Sequence, residues 1–253
     1  MTTAKNTSSL MNVQAAQTMN WVSWLLLVAL SVFWGGYFFF IGVAVMDLPT
    51  FTIVVCRVVI AALILQLVML VLGRRMPGVH TTTDRRIWLA FFGMGLLNNA
   101  IPFCLIVWGQ GYIASGVAAI LNATTPLFTV LVAHLLTQDE RLSAAKMMGV
   151  VLGFVGVAIM VGGSAFHALG TASGMAILAQ LAILAGALAY AFAGVFGRRF
   201  KALGVSPMAT ATGQVIASSV LLVPLMLIID QPWTLPIPSA ETVAALIGLA
   251  ALS

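Results

Sequence analysis

The chain has 253 residues, of which 62% are hydrophobic and only 7% are charged, where a soluble domain carries about 25% charged residues. So little polar surface cannot cover a water-facing globule, and the composition excludes ordinary soluble domains in favour of an all-α polytopic membrane protein partnered by the lipid bilayer. The net charge of +5 does not mark a nucleic-acid binder, because the basic residues are scattered over short loops instead of sharing a face. Cys56 and Cys104, the two cysteines, both lie in apolar runs. They offer neither a disulfide framework nor a metal pattern, and no metal or other cofactor is called for.

Residues 1–20 are polar and aperiodic with Lys5 as their one charge, and read as a disordered cytoplasmic tail. The apolar run that follows is too long for the core of a signal peptide and lacks a small-residue cleavage site, so it is expected to be retained. A spanning helix needs about 20 mostly apolar residues. By that measure seven full spans are expected near 21–46, 50–72, 87–108, 113–136, 144–163, 175–197 and 208–229, with part of an eighth from Thr242 to Ser253. The runs are continuously apolar instead of alternating, which favours helices over a barrel. Turn residues separate them, among them Asp47-Leu48-Pro49, Gly73, Gly109 and Gly111, and Gly204.

With the amino terminus on one side, that side collects ten of the eleven basic residues: Lys5, Arg74, Arg75, Arg85, Arg86, Arg141, Lys146, Arg198, Arg199 and Lys201. The opposite loops hold Asp47, Asp230 and Glu241 but no Lys or Arg. Positive charge marks the cytoplasmic side of a membrane, so a cytoplasmic amino terminus is expected. Trp21 and Trp88 fall at that boundary as interfacial anchors, Trp108 and Tyr112 at the other.

The first two spans and the sixth and seventh share a layout. Trp34 aligns with Tyr190, Pro49 with Pro207, and Arg57 with Gln214. Five spans separate the copies, and an odd number turns the second copy upside down in the bilayer. Inverted repeats with a site between them are a design of secondary transporters. The 12 residues from Thr242 to Ser253 make about 18 Å of helix, short of a core about 30 Å thick, so the second copy is expected to lack most of its eighth span and two more.

Two segments carry a resemblance. "SVFWGGYFFFIGVAVMDLPTFTIVVCRVVIAALIL" and "NNAIPFCLIVWGQGYIASGVAAILNATTPLFTVLVAHLLTQDERLSAAKMMGVVLGFVGVAIMVG" resemble the EamA domain of the drug/metabolite transporter superfamily. The resemblance runs over 21–253 and is most specific at 98–163. It implies ten spans in the intact family, built as two inverted five-helix units: here 21–163 and an incomplete 175–253. It further implies an inner-membrane location and a carrier of amino acids, drugs or other small metabolites.

Polar groups inside a membrane each need a reason. Phe91, Gly95, Asn98 and Pro102 recur on one helical face of the third span, and Ser115, Asn122, Pro126 and Thr129 on one face of the fourth. Each stripe joins an amide to a proline that frees backbone groups able to hold a solute without net charge. The substrate pathway is therefore expected to use Asn98, Pro102, Asn122, Thr125 and Pro126, with Trp34, Tyr37 and Tyr190 as aromatic walls and Gln214 as the repeat mate of Arg57. The alternative is that the amides only join helices. Arg57, the strongly basic group inside a span, reads as structural, pairing with carbonyls or snorkelling outward. No acidic residue lies well inside a full span, so a carboxylate proton relay is not visible.

These features favour a secondary transporter working by alternating access on small solutes. The alternatives are a truncated or dimerising membrane protein that does not transport, its partner a second copy of the chain, and an intramembrane enzyme. The enzyme reading lacks a paired-Asp, Ser-His or His-Glu-x-x-His set and is the weakest.

Overall fold

The computed structural model describes residues 20–137, 143–168 and 174–251, with side chains given through Met160 in the second stretch and Ala250 in the third. The expected tail, the loop carrying Asp139 and Glu140, and the His167 side chain lie outside the described residues. Regular structure among the described residues is helical throughout.

The helices are α1 (Trp21–Ala44), α2 (Thr50–Val71), α3 (Thr82–Gly95), α4 (Ile101–Gln110), α5 (Ser115–Asn122), α6 (Thr125–Leu136), α7 (Ala144–Ala168), α8 (Gly174–Gly197), α9 (Arg199–Ala202), α10 (Pro207–Leu225) and α11 (Ala240–Ala251). A π-helical turn, Leu96–Ala100, joins α3 to α4, and another, Met226–Asp230, extends α10. Six of the resulting helices are long and apolar enough to cross a membrane; the described parts of α7 and α11 are shorter apolar helices. The chain is a multi-pass membrane protein.

Local chemistry sets the boundaries. The Thr81 hydroxyl accepts from the Asp84 N–H at 3.0 Å while the Asp84 carboxylate accepts from the Thr81 N–H at 3.1 Å. This reciprocal cap starts α3 at Thr82. Arg85 and Arg86 therefore lie on the helix and not in the preceding loop, where hydropathy alone put them. Ser206 caps α10 by accepting from the Ala209 N–H at 3.2 Å, with Pro207 in the first turn. Gly73 and Gly204 take left-handed φ of 64° and 68°. Each closes a helix end by a backbone bond five residues back, Arg74 N–H to Met69 O and Val205 N–H to Phe200 O.

The prolines act where the sequence places them. Pro102 has no N–H for the carbonyl of Asn98 four residues earlier, and the chain answers with the wide turn at Leu96–Ala100. Pro126 likewise withholds a donor from Asn122, and here the helix stops: α5 ends at Asn122 and α6 begins at Thr125. The Thr125 hydroxyl donates to the orphaned Asn122 carbonyl at 2.7 Å, and the Thr124 hydroxyl to the Leu121 carbonyl at 2.6 Å. The Asn-Ala-Thr-Thr-Pro stretch is a break repaired by its own threonines.

The chain divides into two units, residues up to Gly36 and residues from Tyr37. The described part of the first is the amino-terminal portion of α1, and Trp34 on it is 73% exposed. In the second unit α2 and α4 bury Ile53, Val54, Val58, Phe103 and Ile106 in a common core with Leu222 of α10 and Ile183 of α8. α4 and α8 run antiparallel, close at Gly109, where an added Cβ would lie 2.9 Å from Ile183 and 3.0 Å from the Ala179 carbonyl. α3 and α10 run parallel, with Gly213 against the Phe91 ring and Gly95 against Gln214 and Ser218. A second, smaller core of Ile87, Ala90, Phe91, Phe200 and Ala217 closes the end of this unit that carries the arginines.

Candidate functional site

Among the described residues, two groups of polar contacts join distant parts of the second unit. The first is at its carboxylate-bearing end. Pro49 precedes α2 and its side chain caps nothing, and the missing acceptor arrives from 178 residues away: the Asp230 carboxylate accepts from the Thr52 N–H at 2.6 Å and from its hydroxyl at 2.9 Å. Asp47, just beyond α1, braces the start of α11, whose first turn Ser239 caps by accepting from the Thr242 N–H at 3.2 Å. Its carboxylate accepts from the Ser239 N–H at 3.0 Å, the Ser239 hydroxyl at 2.6 Å and the Thr242 hydroxyl at 2.7 Å. The Ser239 and then the Thr242 bonds hold the Asp47 carboxyl below the usual carboxylate range. A cavity of about 420 Å³ opens beside Asp230, walled by Pro49, Phe51, Cys104, Leu105 and Trp108.

Deeper in, the π turn of Leu96–Ala100 aims two amides at α10. Asn98 Nδ2 donates to Gln214 Oε1 at 3.2 Å, and buried Asn99 donates to the Ser218 hydroxyl at 2.9 Å. Ser218 hydrogen-bonds in turn to the carbonyls of Gly95, at 3.1 Å, and Gln214, at 2.6 Å. Across the core, the Arg57 guanidinium lies over two aromatic faces, 4.5 Å from the Tyr37 ring centre and 3.7 Å from that of Phe103. Tyr190 completes the group, its ring 6.4 Å from Phe103. Aromatic faces attract a cation and are apolar, so they can hold a guanidinium in a dry core.

Several expected residues therefore meet. Asn98 bonds Gln214, and Tyr37 and Tyr190 share one cluster through Arg57 and Phe103. Pro102 departs from its stripe. Phe91, Gly95 and Asn98 face α10, whereas the Pro102 backbone packs on Gly186 of α8, where an added Cβ would lie 3.4 Å from the Pro102 Cα. The extra residue in the π turn rotates everything after it by roughly 100°. Asn122, Thr125 and Pro126 sit at the α5–α6 break. Thr125 is spent on the backbone and Pro126 is exposed, while the buried Asn122 Oδ1 has no hydrogen-bond partner among the described residues. Trp34 lies in the other unit. Sequence reasoning missed Phe103, Asn99 with Ser218, and the reach of Asp230. The only signal for the last was a lone acid following Pro224 near the end of a span.

Residues 20–162, more than half of the chain, match the EamA-like transporter family. The chain belongs to that family. Among curated proteins, this EamA chain is similar to the uncharacterized inner membrane transporter YedA of Escherichia coli K12, 29% identical over 83% of this chain and 64% of YedA. It is similar also to an uncharacterized transporter of Archaeoglobus fulgidus, 26% identical over 54% of this chain and 46% of the other. The uncharacterized transporter YoaV of Bacillus subtilis is 22% identical over 72% and 59%. The EamA chain thus spans less than two thirds of the length of these relatives. A solved crystal structure of another protein shares the fold, with a TM-score of 0.56 over 88% of this chain and 74% of that one at 18% identity.

Proposed function

We propose that the chain works as a secondary transporter that carries small metabolites, of the amino-acid, drug or related classes, across the inner membrane by alternating access. The moving parts are two inverted units, 21–163 and 175–253, and the amino terminus is cytoplasmic. No enzymatic role is proposed.

The observation that carries this reading is the Asn98–Gln214 hydrogen bond. It joins the two expected units by a neutral amide pair, well over a helical turn from the nearer end of either span. Neutral amides can exchange one partner for another with little change in charge. A solute offering a donor and an acceptor can insert between them and satisfy both. An unfilled amide left in a dry core costs about 1–3 kcal/mol, so the amides favour either mutual pairing or an occupied site. Asn122 Oδ1, at the α5–α6 break and without a partner among the described residues, is a second acceptor expected on the pathway. The two carboxylate caps, at Asp230 and Asp47, tie elements of the two units together at one end and act as the gate on that side. At the arginine-bearing end Ile87, Ala90, Phe91, Phe200 and Ala217 pack in the smaller apolar core.

The test is flux of a panel of radiolabelled amino acids and amphipathic solutes into proteoliposomes. Flux above that of empty liposomes, reduced about tenfold or more by Gln214→Leu or Asn122→Leu, is the expected result. Flux unaffected by both substitutions overturns the assignment.

A further inference from the structure

A groove of about 640 Å³ runs along α3 against α8 and α9 at the arginine-bearing end of the second unit, apart from the amides and the carboxylate caps. Arg86 and Arg199 line it together with Leu89, Ala90, Phe196 and Leu203, and both arginines are exposed. No acidic residue is among its lining residues. The Arg199 guanidinium carbon lies 3.4 Å from the centre of the Phe196 ring, which anchors that cation over the groove. Phe196 in turn lies on Gly93, where an added Cβ would come within 2.5 Å of the ring, so the absence of a side chain at 93 is what gives the ring its seat. From Arg86 to Gly93 the helix rises about 10 Å, which takes the apolar wall from the interfacial charge toward the hydrocarbon.

From this geometry we infer that the groove is a binding site for an anionic glycerophospholipid. The phosphate is held between Arg86 and Arg199, and one acyl chain lies along Leu89 and Phe196. Guanidinium groups bind phosphate oxygens through paired N–H donors, and basic pockets between membrane helices hold acidic lipid headgroups. A free soluble phosphate would use the arginines but not the apolar wall, and a zwitterionic lipid would bring its own cation to two guanidiniums. The combination selects an acidic lipid. The inference is independent of what the chain transports.

Native mass spectrometry of the purified chain, equilibrated with equal amounts of palmitoyl-oleoyl phosphatidylglycerol and palmitoyl-oleoyl phosphatidylcholine, tests it. The wild type is expected to retain phosphatidylglycerol preferentially. The double variant Arg86→Ala/Arg199→Ala should retain about tenfold less, Arg86→Lys/Arg199→Lys, which keeps the charge but loses the paired donors, should fall between it and the wild type, and Arg74→Ala/Arg75→Ala, outside the groove, should match the wild type. The lysine variant separates lost binding from lost folding. Equal retention of both lipids, equal loss in the Arg74/Arg75 variant, or displacement of the lipid by millimolar glycerol-1-phosphate would each overturn the assignment.

Discussion

Asp230 completes the first turn of a helix far from it in the chain, its carboxylate accepting from both the N–H and the hydroxyl of Thr52, 178 residues earlier. Pro49 leaves that turn without a cap, and the orphan donors of a helix start seek an acceptor. A negative charge there also meets the positive end of the helix dipole. The bond therefore serves α2 and at the same time fixes the end of α10 to it.

Removing this acceptor should loosen that end of the molecule. A hydrogen bond to a charged group contributes about 1.5–3 kcal/mol, which corresponds to at least about tenfold in an opening equilibrium. Cys104 shares the cavity wall with Asp230. In a Cys56→Ala background, Asp230→Ala should raise the rate of maleimide labelling at Cys104 about tenfold. An unchanged rate would show that the cap does not restrain the cavity.

The Asp47 cap has a pH signature. Its carboxyl is held below its ordinary range by bonds from Ser239 and Thr242, so the ionised form is favoured in the folded state. That contribution is complete above the ordinary carboxylate value of about 4 and is lost as the pH falls below it toward the lowered value. Thermal midpoints in detergent should show Asp47→Asn below the wild type at pH 6, with the gap closing toward pH 3. A gap that stays constant with pH would exclude the ionised carboxylate as its source.

At the α5–α6 break the two neighbouring polar residues should separate. Thr125→Val removes the hydroxyl that satisfies the Asn122 carbonyl and should destabilise the chain by about 1–2 kcal/mol, read as a lower thermal midpoint. Asn122→Leu leaves that bond intact and replaces an acceptor that has no partner among the described residues, so it should hold or raise the midpoint while reducing solute flux. The reverse pattern would place the amide in the scaffold.

Gly95 tests the α3–α10 contact. A Cβ there would approach the Gln214 carbonyl to 2.8 Å and the Ser218 hydroxyl to 2.9 Å, and backbone cannot rotate away. Gly95→Val should cost roughly 1–3 kcal/mol. By contrast Gly116→Ala, with no described atom within 4 Å of the added carbon, should be neutral or slightly stabilising through helix propensity.

Much of this was legible in the residues. The apolar runs at 50–72, 175–197 and 208–229 became Thr50–Val71, Gly174–Gly197 and Pro207–Asp230, because in lipid a backbone must satisfy itself and length alone nearly sets the helix. The pairing of Asn98 with Pro102 and of Asn122 with Pro126 announced two breaks. What form they took was not announced: one became a π turn and the other a stop, and only the second had threonines to repair it. Phase was lost with the π turn, so the stripe ending in Pro102 split between α10 and α8. The setting of Arg57 between Tyr37 and Phe103 was also hidden, since it joins residues of three helices that no periodicity relates. Asp230 looked like a loop residue because its partner, a bare helix start, is a property of backbone and not of sequence.

Alternating access requires the Asn98–Gln214 pair to be reached by water from one side at a time. Cysteine at position 98, in a chain otherwise lacking cysteine, can be probed with a membrane-impermeant maleimide added to either face of oriented vesicles. Labelling from one face with the caps intact, and from the Asp230 face once Asp230→Ala is introduced, is the expected outcome. Protection from both faces in both backgrounds would mean that the amides are buried joints between helices, and that no solute passes there.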